Sequence, residues 1–180
     1  MCEKIIKELN LEDITLNLLD SFNRYQSVTK GWSNKNGSWT LIDQEYTVNW
    51  DEIKKREIVE EFKKILLNKE GNIFGAFLDG KLIAFSVLSN KKFGTEGQYL
   101  QIDYLHVSNE YRHQGIRKKL FELCIKKAKM LNGKKIYISA NDSEATQDFY
   151  LGLGCKDAIE VNKASLEKEP YDRQMEYIIM

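Results

Sequence analysis

The segment 112–118, Arg-His-Gln-Gly-Ile-Arg-Lys, carries the most unusual chemistry in this sequence. It opens a predicted helix, and helix N-termini favour acidic residues, yet this one is basic. Free N–H groups at a helix start bind anions. Gly115 lets a phosphate approach the backbone closely because it has no Cβ. The segment therefore predicts either a phosphate site or a solvated basic surface whose glycine serves packing.

The elements that must position this segment follow from hydrophobic patterning. A strand at 99–107 leads into the helix at about 114–131, and a strand at 135–140 follows, so the unit implies a right-handed parallel crossover. Upstream, Asp79-Gly80 joins two buried strands and suits a type I′ hairpin turn, because both positions take positive φ. The remaining predictions for the part of the chain after residue 72 are strands at 73–78 and 82–88, a helix at about 143–152, and strands at 156–162 and 173–179.

The N-terminal part is less regular. Residues 3–9 suit a strand or a helix, and 11–20 suit a short helix. The aromatic stretch 22–50 is expected to break into turns, at Asn36-Gly37 among other places. A helix follows at about 50–68, for which Asn49 is the expected cap, with Glu52 reaching back as in a capping box.

Composition limits the class of protein. The 180 residues suit one domain, 1–180, and 42% are hydrophobic, enough for a core. Lys and Arg total 27, as do Asp and Glu, which disfavours a globally basic nucleic-acid binder. The start Met1-Cys2-Glu3-Lys4 predicts no signal peptide, and no apolar run approaches the ~20 residues that span a bilayer. Cys2, Cys124 and Cys155 form no CxxC pair, which predicts reduced thiols in a cytoplasm. With two His and no ligand cluster, no metal site is expected.

The strand–helix junction LHVSNEYRHQGIRKKL resembles motif A of the GNAT superfamily of acyl-CoA-dependent N-acetyltransferases. That motif is a strand ending in valine, then Arg/Gln-x-x-Gly-x-Gly/Ala opening a helix. Val107 is similar to the strand valine, Arg112 to the first motif position and Gly115 to the first glycine. Arg117 stands where the family has Gly or Ala, a departure that bears on cofactor affinity and not on the fold.

A second block, KIYISANDSEATQDFYLGLGC at 135–155, looks like the motif B region. Phe149 and Tyr150 match its Phe-Tyr pair, and either Asn141 or Ser143 suits the polar position before the helix. The resemblance covers about 72–155 as the cofactor-binding core, with 1–70 as the variable acceptor side. It implies a fold of the α/β (α+β mixed) class: a central mixed, mostly antiparallel twisted sheet with helices on both faces.

The resemblance implies acetyl-CoA as the cofactor, held in a gap between two splayed strands. Backbone groups of one strand would bond the pantetheine arm, and N–H groups of the following loop and helix start would hold the pyrophosphate. The implied cofactor-binding residues are Leu105, His106, Val107, Arg112, His113, Gln114, Gly115, Ile116, Arg117, Lys118, Asn141, Ser143, Phe149 and Tyr150.

The resemblance also implies direct attack of a neutral amine on the thioester. Tyr150 matches the family position of the acid that protonates the departing thiolate, although an aromatic that only packs the helix remains an alternative. Asp103 is a candidate base, and it is expected to share a strand face with Gln101, Leu105 and Val107. His106 is expected to point to the other face, as a packing residue.

The acceptor is expected to bind against the aromatic stretch. Trp32, Trp39 and Tyr46 are candidate substrate-binding residues, and Trp50 could also wall the pocket, with core packing as the alternative for each. The predicted function is acetyl transfer to a primary amine of a small molecule. A protein or peptide N-acetyltransferase and a non-catalytic CoA-binding domain remain open. The expected protein is cytoplasmic and binds no nucleic acid or membrane. The sequence leaves the oligomeric state open, with a homodimer as one alternative because dimers are common in the family.

Overall fold

A seven-stranded sheet forms the centre of the computed structural model, which describes residues 3–180. Its strands, together with those of a separate two-stranded ribbon, are β1 (Lys4–Glu8), β2 (Gln26–Lys35), β3 (Ser38–Val48), β4 (Gly71–Leu78), β5 (Lys81–Ser89), β6 (Tyr99–Val107), β7 (Lys135–Ala140), β8 (Lys156–Asp157) and β9 (Arg173–Ile178). The helices are α1 (Glu52–Leu67), α2 (Ile116–Met130), α3 (Glu144–Gly152) and α4 (Lys163–Lys168).

The strand order is β1-β4-β5-β6-β7-β9-β8, and β2 and β3 form the ribbon. Every neighbouring pair in the large sheet is antiparallel except β6 and β7, which are parallel and connected through α2. Asp79 (φ 49°) and Gly80 (φ 77°) form the predicted tight turn between β4 and β5. The predicted mixed, mostly antiparallel sheet is confirmed.

Two apolar clusters cover the two faces of the sheet. One packs α1 through Ile58, Val59 and Phe62 against β4 and β5. The other packs α2 and α3 on the opposite face, with Leu120, Phe121, Cys124 and Tyr150 among its buried members. Burial of this apolar surface is the main force that fixes the three helices, and with them the first turn of α2.

A β-bulge in β6 changes which side chains share a face. The β5–β6 register shifts between Val87 and Leu88, whose partners are Tyr104 and Ile102, so Asp103 is the extra residue. Leu100 and Ile102 face α2 before the bulge, and Leu105 and Val107 face it after the bulge. The expectation that Asp103 and Gln101 share a face with Leu105 and Val107 is therefore wrong, because an extra residue reverses the alternation.

The N-terminal half differs most from the sequence predictions. Residues 22–50 are not only turns: Asn36 and Gly37, both at positive φ, close the β2–β3 ribbon. Asp51 caps α1, not Asn49, since its carboxylate accepts a hydrogen bond from Lys54 N at 2.8 Å. The 3–9 segment is a strand, and the helix expected at 11–20 is a single 3₁₀ turn, Leu11–Asp13, followed by turns.

Near the C-terminus, the strand expected at 156–162 is only β8, two residues long, and α4 follows it. Cys124 and Cys155 are free, buried thiols, and Cys2 lies outside the described residues. Burial raises the pKa of each described thiol to about 12. Among residues 3–180, no helix combines the length and apolar character needed to cross a membrane.

Candidate active site

A cleft opens where β6 and β7 separate. The two strands pair only from Tyr99–Lys135 to Ile102–Ile138, so β6 beyond the bulge leaves its edge free on the β7 side. The resulting cavity has a volume of about 1350 Å³ and is lined by β6, the start of α2, the end of β7 and α3. Free backbone donors and acceptors on an edge strand can bond an extended ligand as an added strand.

The loop before α2 forms a cradle of backbone N–H groups at one end of the cleft. His113 (φ 60°) and Gly115 (φ 77°) both adopt left-handed conformations. Such turns aim successive N–H groups toward one point and make anion-binding concavities. For His113 this conformation costs about 1–2 kcal/mol, a strain typical of functional loops.

The first turn of α2 leaves its own N–H groups free for a ligand. Gly115 is the N-cap and provides no side-chain cap, and the turn contains no acidic residue. The first helical bond runs from Lys119 N to Gly115 O at 3.2 Å, which leaves the N–H groups of Ile116, Arg117 and Lys118 without helical partners. A Cβ on Gly115 would meet open space, so the approach to the backbone is clear. These features match a diphosphate.

Arg112 braces the cradle through its side chain. Its Nε donates to Val107 O at 3.1 Å, its Nη1 to Asn109 Oδ1 at 3.2 Å and its Nη2 to Arg24 O at 3.4 Å. The first motif position thus ties the loop to the end of β6 and to the segment before β2. The guanidinium fixes the loop, while the backbone is left to bind the anion.

Helix α3 and the loop before it supply the opposite wall. Asn141, Phe149 and Tyr150 line the cleft. Ser143 does not line it: the residue is buried as the N-cap of α3, where its Oγ accepts a bond from Thr146 N at 3.3 Å. Of the two residues proposed for the polar position, the structure brings Asn141 to the cleft.

Tyr150 is buried, and Arg117 lies against it. The guanidinium carbon of Arg117 is 4.2 Å from the centre of the Phe149 ring and 5.2 Å from that of Tyr150. Burial raises the pKa of the Tyr150 phenol, and the nearby Arg117 charge opposes that rise. The phenol is neutral at physiological pH and able to donate a proton.

Three arginines, Arg24, Arg112 and Arg117, surround His106 near the cradle. Burial lowers the pKa of Arg24 to about 10, and repulsion from the other two arginines contributes, yet the group remains charged near neutrality. Burial and the same three charges hold the pKa of His106 well below its ordinary value. His106 packs edge-on against Trp50 at 5.2 Å between ring centres, as expected for a packing residue.

The other end of the cleft is acidic. Four carboxylates line it and are named here the acidic wall: Glu61, Asp103, Glu169 and Asp172. Two lysines, Lys54 and Lys168, are the cations on this side. The carboxylates form no salt bridge within residues 3–180. A concave, net negative surface attracts cations.

Asp103 lies at the bulge between the two ends. Its carboxylate opens into the cleft, but the surrounding walls limit its hydration. This desolvation raises the pKa to about 6; Glu61 raises it further, whereas Lys168 opposes the rise. Desolvation likewise raises the pKa of Asp172 to about 6, opposed by the hydrogen bond that Ser139 donates at 3.0 Å.

Three of the predicted acceptor aromatics lie outside the cleft lining, whereas Trp50 is part of it. Trp32 Nε1 donates to Asp148 at 3.3 Å, Tyr46 donates to Asp142, and Trp39 stacks under Arg173 at 4.5 Å. All three belong to the β2–β3 ribbon, and these contacts join it to α3, the loop before α3 and β9. Gln114, predicted to bind cofactor, is an exposed loop residue that also lies outside the lining.

Sequence reasoning missed Arg24, Glu61, Glu169 and Asp172. None belongs to a motif, and each reaches the cleft from a different place: the segment before β2, α1, the end of α4, and the loop before β9. The only sequence signal was the general expectation that 1–70 forms the acceptor side, and that assignment stays a prediction.

Comparison with known proteins agrees with this geometry. The family model described as "Acetyltransferase (GNAT) family" matches residues 39–154. Nourseothricin acetyltransferase has a similar structure, with a TM-score of 0.72 and 13% identity over 98% of this chain and 99% of that one. No curated protein matches the sequence significantly.

Two further structures share the fold. A candidate streptothricin acetyltransferase from Bacillus anthracis str. Ames, solved with acetyl coenzyme A, has a TM-score of 0.68 and 18% identity over 97% of this chain and 96% of that one. The ribosomal-protein-alanine N-acetyltransferase of Brucella melitensis biovar Abortus 2308 has a TM-score of 0.58 and 19% identity over 89% and 96%.

Two neighbouring strands that separate beside a helix N-terminus with free N–H groups are characteristic of the acyl-CoA-dependent N-acetyltransferases, and this protein is of that class. Its family model matches more than half of the chain, and the chain belongs to the acetyltransferase (GNAT) family. Acetyl-CoA is the cofactor of this class, and the cradle at 112–118 has the free N–H groups and the open approach that its diphosphate requires.

Proposed function

We propose that this enzyme transfers the acetyl group of acetyl-CoA to a primary amine of a small, polycationic molecule. The observation that carries the proposal is the division of charge within one cleft. Arg24, Arg112 and Arg117 act on one another's charge beside the phosphate cradle. Asp103 is coupled to Glu61, and Asp172 to Glu169, and all of these residues line the cleft. An acceptor with several ammonium groups complements the wall, and the cofactor's phosphates complement the cradle.

Residues on every side of the acidic end favour a small acceptor. Tyr25 and Ser27 come from the segment around the start of β2, Lys54 and Glu61 from α1, and the 165–172 segment supplies the remaining side. A protein substrate needs an open groove for an extended chain. The charged lining supports a small-molecule acceptor over a protein substrate.

The cofactor would be held by the backbone more than by side chains. The N–H groups of 113–118 would bind the diphosphate, and the free edge of β6 at Leu105, His106 and Val107 would bond the pantetheine arm. Asn141 and Phe149 would line the other side of that arm. When bound, acetyl-CoA supplies the acetyl group as a thioester; the chain supplies position and proton transfer.

Tyr150 and Asp103 are the residues that would move protons. Asp103, with its pKa raised to about 6, is ionised near neutral pH and would accept a proton from the acceptor's ammonium, directly or through water. Tyr150 would donate its phenolic proton to the departing sulfur. A phenol of ordinary pKa ~10 is reasonably matched to a thiolate of pKa ~8.5.

The test is a screen that follows CoA release with acetyl-CoA and a panel of acceptors. The panel holds monoamines, diamines and triamines of similar length, and peptides with free N-termini or lysines. The expected result is turnover that rises with the number of ammonium groups. Turnover restricted to the peptides would replace the proposal with protein acetylation, and acetyl-CoA binding without turnover on any amine would indicate a non-catalytic domain.

A further inference from the structure

Arg117 does not extend into solvent as its helical neighbour Lys119 does. Its side chain leaves the first turn of α2 and crosses to α3, where the guanidinium stacks on Phe149 at 4.2 Å. The Nε atom is fully buried and has no hydrogen-bond partner within residues 3–180. Arg117 also forms no salt bridge with any described residue. The side chain as a whole is half-buried, and a buried polar atom without a partner costs free energy, so this placement needs an explanation.

The side chain of Arg117 also reaches Tyr150 on α3. The guanidinium carbon lies 5.2 Å from the Tyr150 ring, and both residues line the cleft. The charged and titratable groups that act on Tyr150 are Arg117, Cys124 and Cys155, none of which is a carboxylate. No described carboxylate forms an ion pair with Arg117, so its charge is available to a negative charge that forms nearby.

We propose that Arg117 is a positioning residue for the acid Tyr150: its guanidinium fixes the Tyr150 ring against Phe149 and stabilises the phenolate left after proton donation. The proposal rests on the proposed function, in which Tyr150 protonates the leaving sulfur. It also explains the departure from the family pattern, since a glycine or alanine at this position lacks a side chain that could reach α3.

The proton balance of the step shows where the charge appears. The acceptor ammonium first loses one proton, toward Asp103 and water. The amine nitrogen then forms a bond to the thioester carbon, the carbon–sulfur bond breaks, and its electron pair stays on sulfur. The sulfur takes the proton of Tyr150, and the second proton lost by nitrogen restores the phenol. A transient phenolate thus forms in a buried site, where a fixed cation about 5 Å away is worth far more than in water.

The experiment compares Arg117→Met, Arg117→Lys and, as a matched control, Lys119→Met. Lys119 is an exposed cation of the same helix and lies outside the cleft lining. The first readout needs neither cofactor nor turnover. Tyrosines are replaced biosynthetically by 3,5-difluorotyrosine, whose phenol titrates near neutrality, and the Tyr150 signal is followed by fluorine NMR and assigned with Tyr150→Phe. Melting temperatures establish that each variant is folded.

We expect the titration midpoint at Tyr150 to rise by about one pH unit in Arg117→Met, and to stay within a few tenths of a unit of the parent in Lys119→Met. Arg117→Lys keeps the charge but loses the flat stacking, and should give a smaller rise than the methionine variant. With an accepted amine, kcat should fall about tenfold in Arg117→Met, while the Kd for CoA changes less than about threefold.

Three results would overturn the proposal. A midpoint unchanged by Arg117→Met would show that the guanidinium does not act on Tyr150. A large loss of CoA affinity with unchanged kcat would make Arg117 a phosphate ligand. An equal effect of Lys119→Met would show that any positive charge on α2 acts on Tyr150, and not the charge of Arg117 in particular. If no amine is acetylated, the proposed function fails, but the NMR titration still decides whether Arg117 acts on Tyr150.

Discussion

The guanidinium carbon of Arg117 lies 4.2 Å from the centre of the Phe149 ring, so the first turn of α2 contacts the Phe-Tyr pair of α3 across the cleft. Two consequences follow. The side chain is turned away from the approach to Gly115, which leaves the phosphate cradle open. The contact also joins the cradle helix to Tyr150, the residue proposed to complete acyl transfer.

Replacing Tyr150 by Phe removes the proposed acid and keeps the ring. We expect kcat to fall by about a hundredfold or more, the usual contribution of a positioned acid. The Kd of acetyl-CoA, measured by calorimetry, should change by less than about threefold, because the backbone of β6 and 113–118 holds the cofactor. An unchanged kcat would remove Tyr150 from the chemistry.

Asp103→Asn tests the base. The carboxyl of Asp103, with a pKa of about 6, is protonated below that pH and then cannot accept a proton. In the parent enzyme, kcat/KM should therefore fall below pH about 6, and the variant should lack this bend and be slower at pH 8. A profile that keeps the same bend in Asp103→Asn would assign the titration to another group.

The same substitution should affect stability in the opposite direction. The pKa of Asp103 is raised in the folded state, from 3.8 to about 6, so the ionised carboxylate costs stability above pH 6 and this cost disappears as the pH falls toward 3.8. Asp103→Asn should raise the melting temperature at pH 7 and give no gain near pH 4. A lower melting temperature at pH 7 would show that the carboxylate stabilises the fold.

Gly115→Ala tests the phosphate cradle, and Gly80→Ala provides a matched control. Both glycines have φ of 77°, and at both an added Cβ meets open space, so the backbone strain of the two substitutions is similar. Only Gly115 lies beside the cleft. We expect acetyl-CoA affinity to weaken about tenfold or more in Gly115→Ala and to be unchanged in Gly80→Ala. Equal affinities in calorimetry would place the diphosphate elsewhere.

Glu169→Gln tests the acidic wall, and Glu167→Gln controls for charge on the same segment. Both side chains are exposed, but only Glu169 lines the cleft. With a diamine acceptor, KM should rise about two- to fivefold in Glu169→Gln, the size expected for one exposed ion pair. Glu167→Gln should leave KM unchanged. Similar KM values for both variants would show that Glu169 does not face the acceptor.

Local rules were enough to predict the cofactor half of the fold. The Asp79-Gly80 pair predicted the turn between β4 and β5. The order of strand, basic loop and helix around Gly115 predicted where the N–H cradle lies. Asn36-Gly37 offered the same kind of signal as Asp79-Gly80. The strands it joins were not predicted, because the exposed ribbon β2–β3 is rich in polar residues and has few buried positions to mark it.

The proposed acceptor end of the cleft could not be predicted, for two physical reasons. The apolar residues of β6 change phase between Ile102 and Leu105, but alternation alone does not identify a bulge there, and the bulge decides that Asp103 faces away from Leu105. The acidic wall is assembled from Glu61, Asp103, Glu169 and Asp172, which only tertiary structure brings together. Isolated acidic residues on a helix or loop carry no mark of such a grouping.

The most direct test of the account is a competition in a single reaction. The enzyme and limiting acetyl-CoA are mixed with a triamine and an N-terminally free peptide at equal concentration, and mass spectrometry then identifies which of them carries the acetyl group. The account predicts that the acetyl group is found almost entirely on a primary amine of the triamine. Acetylation of the peptide in preference to the triamine would contradict it.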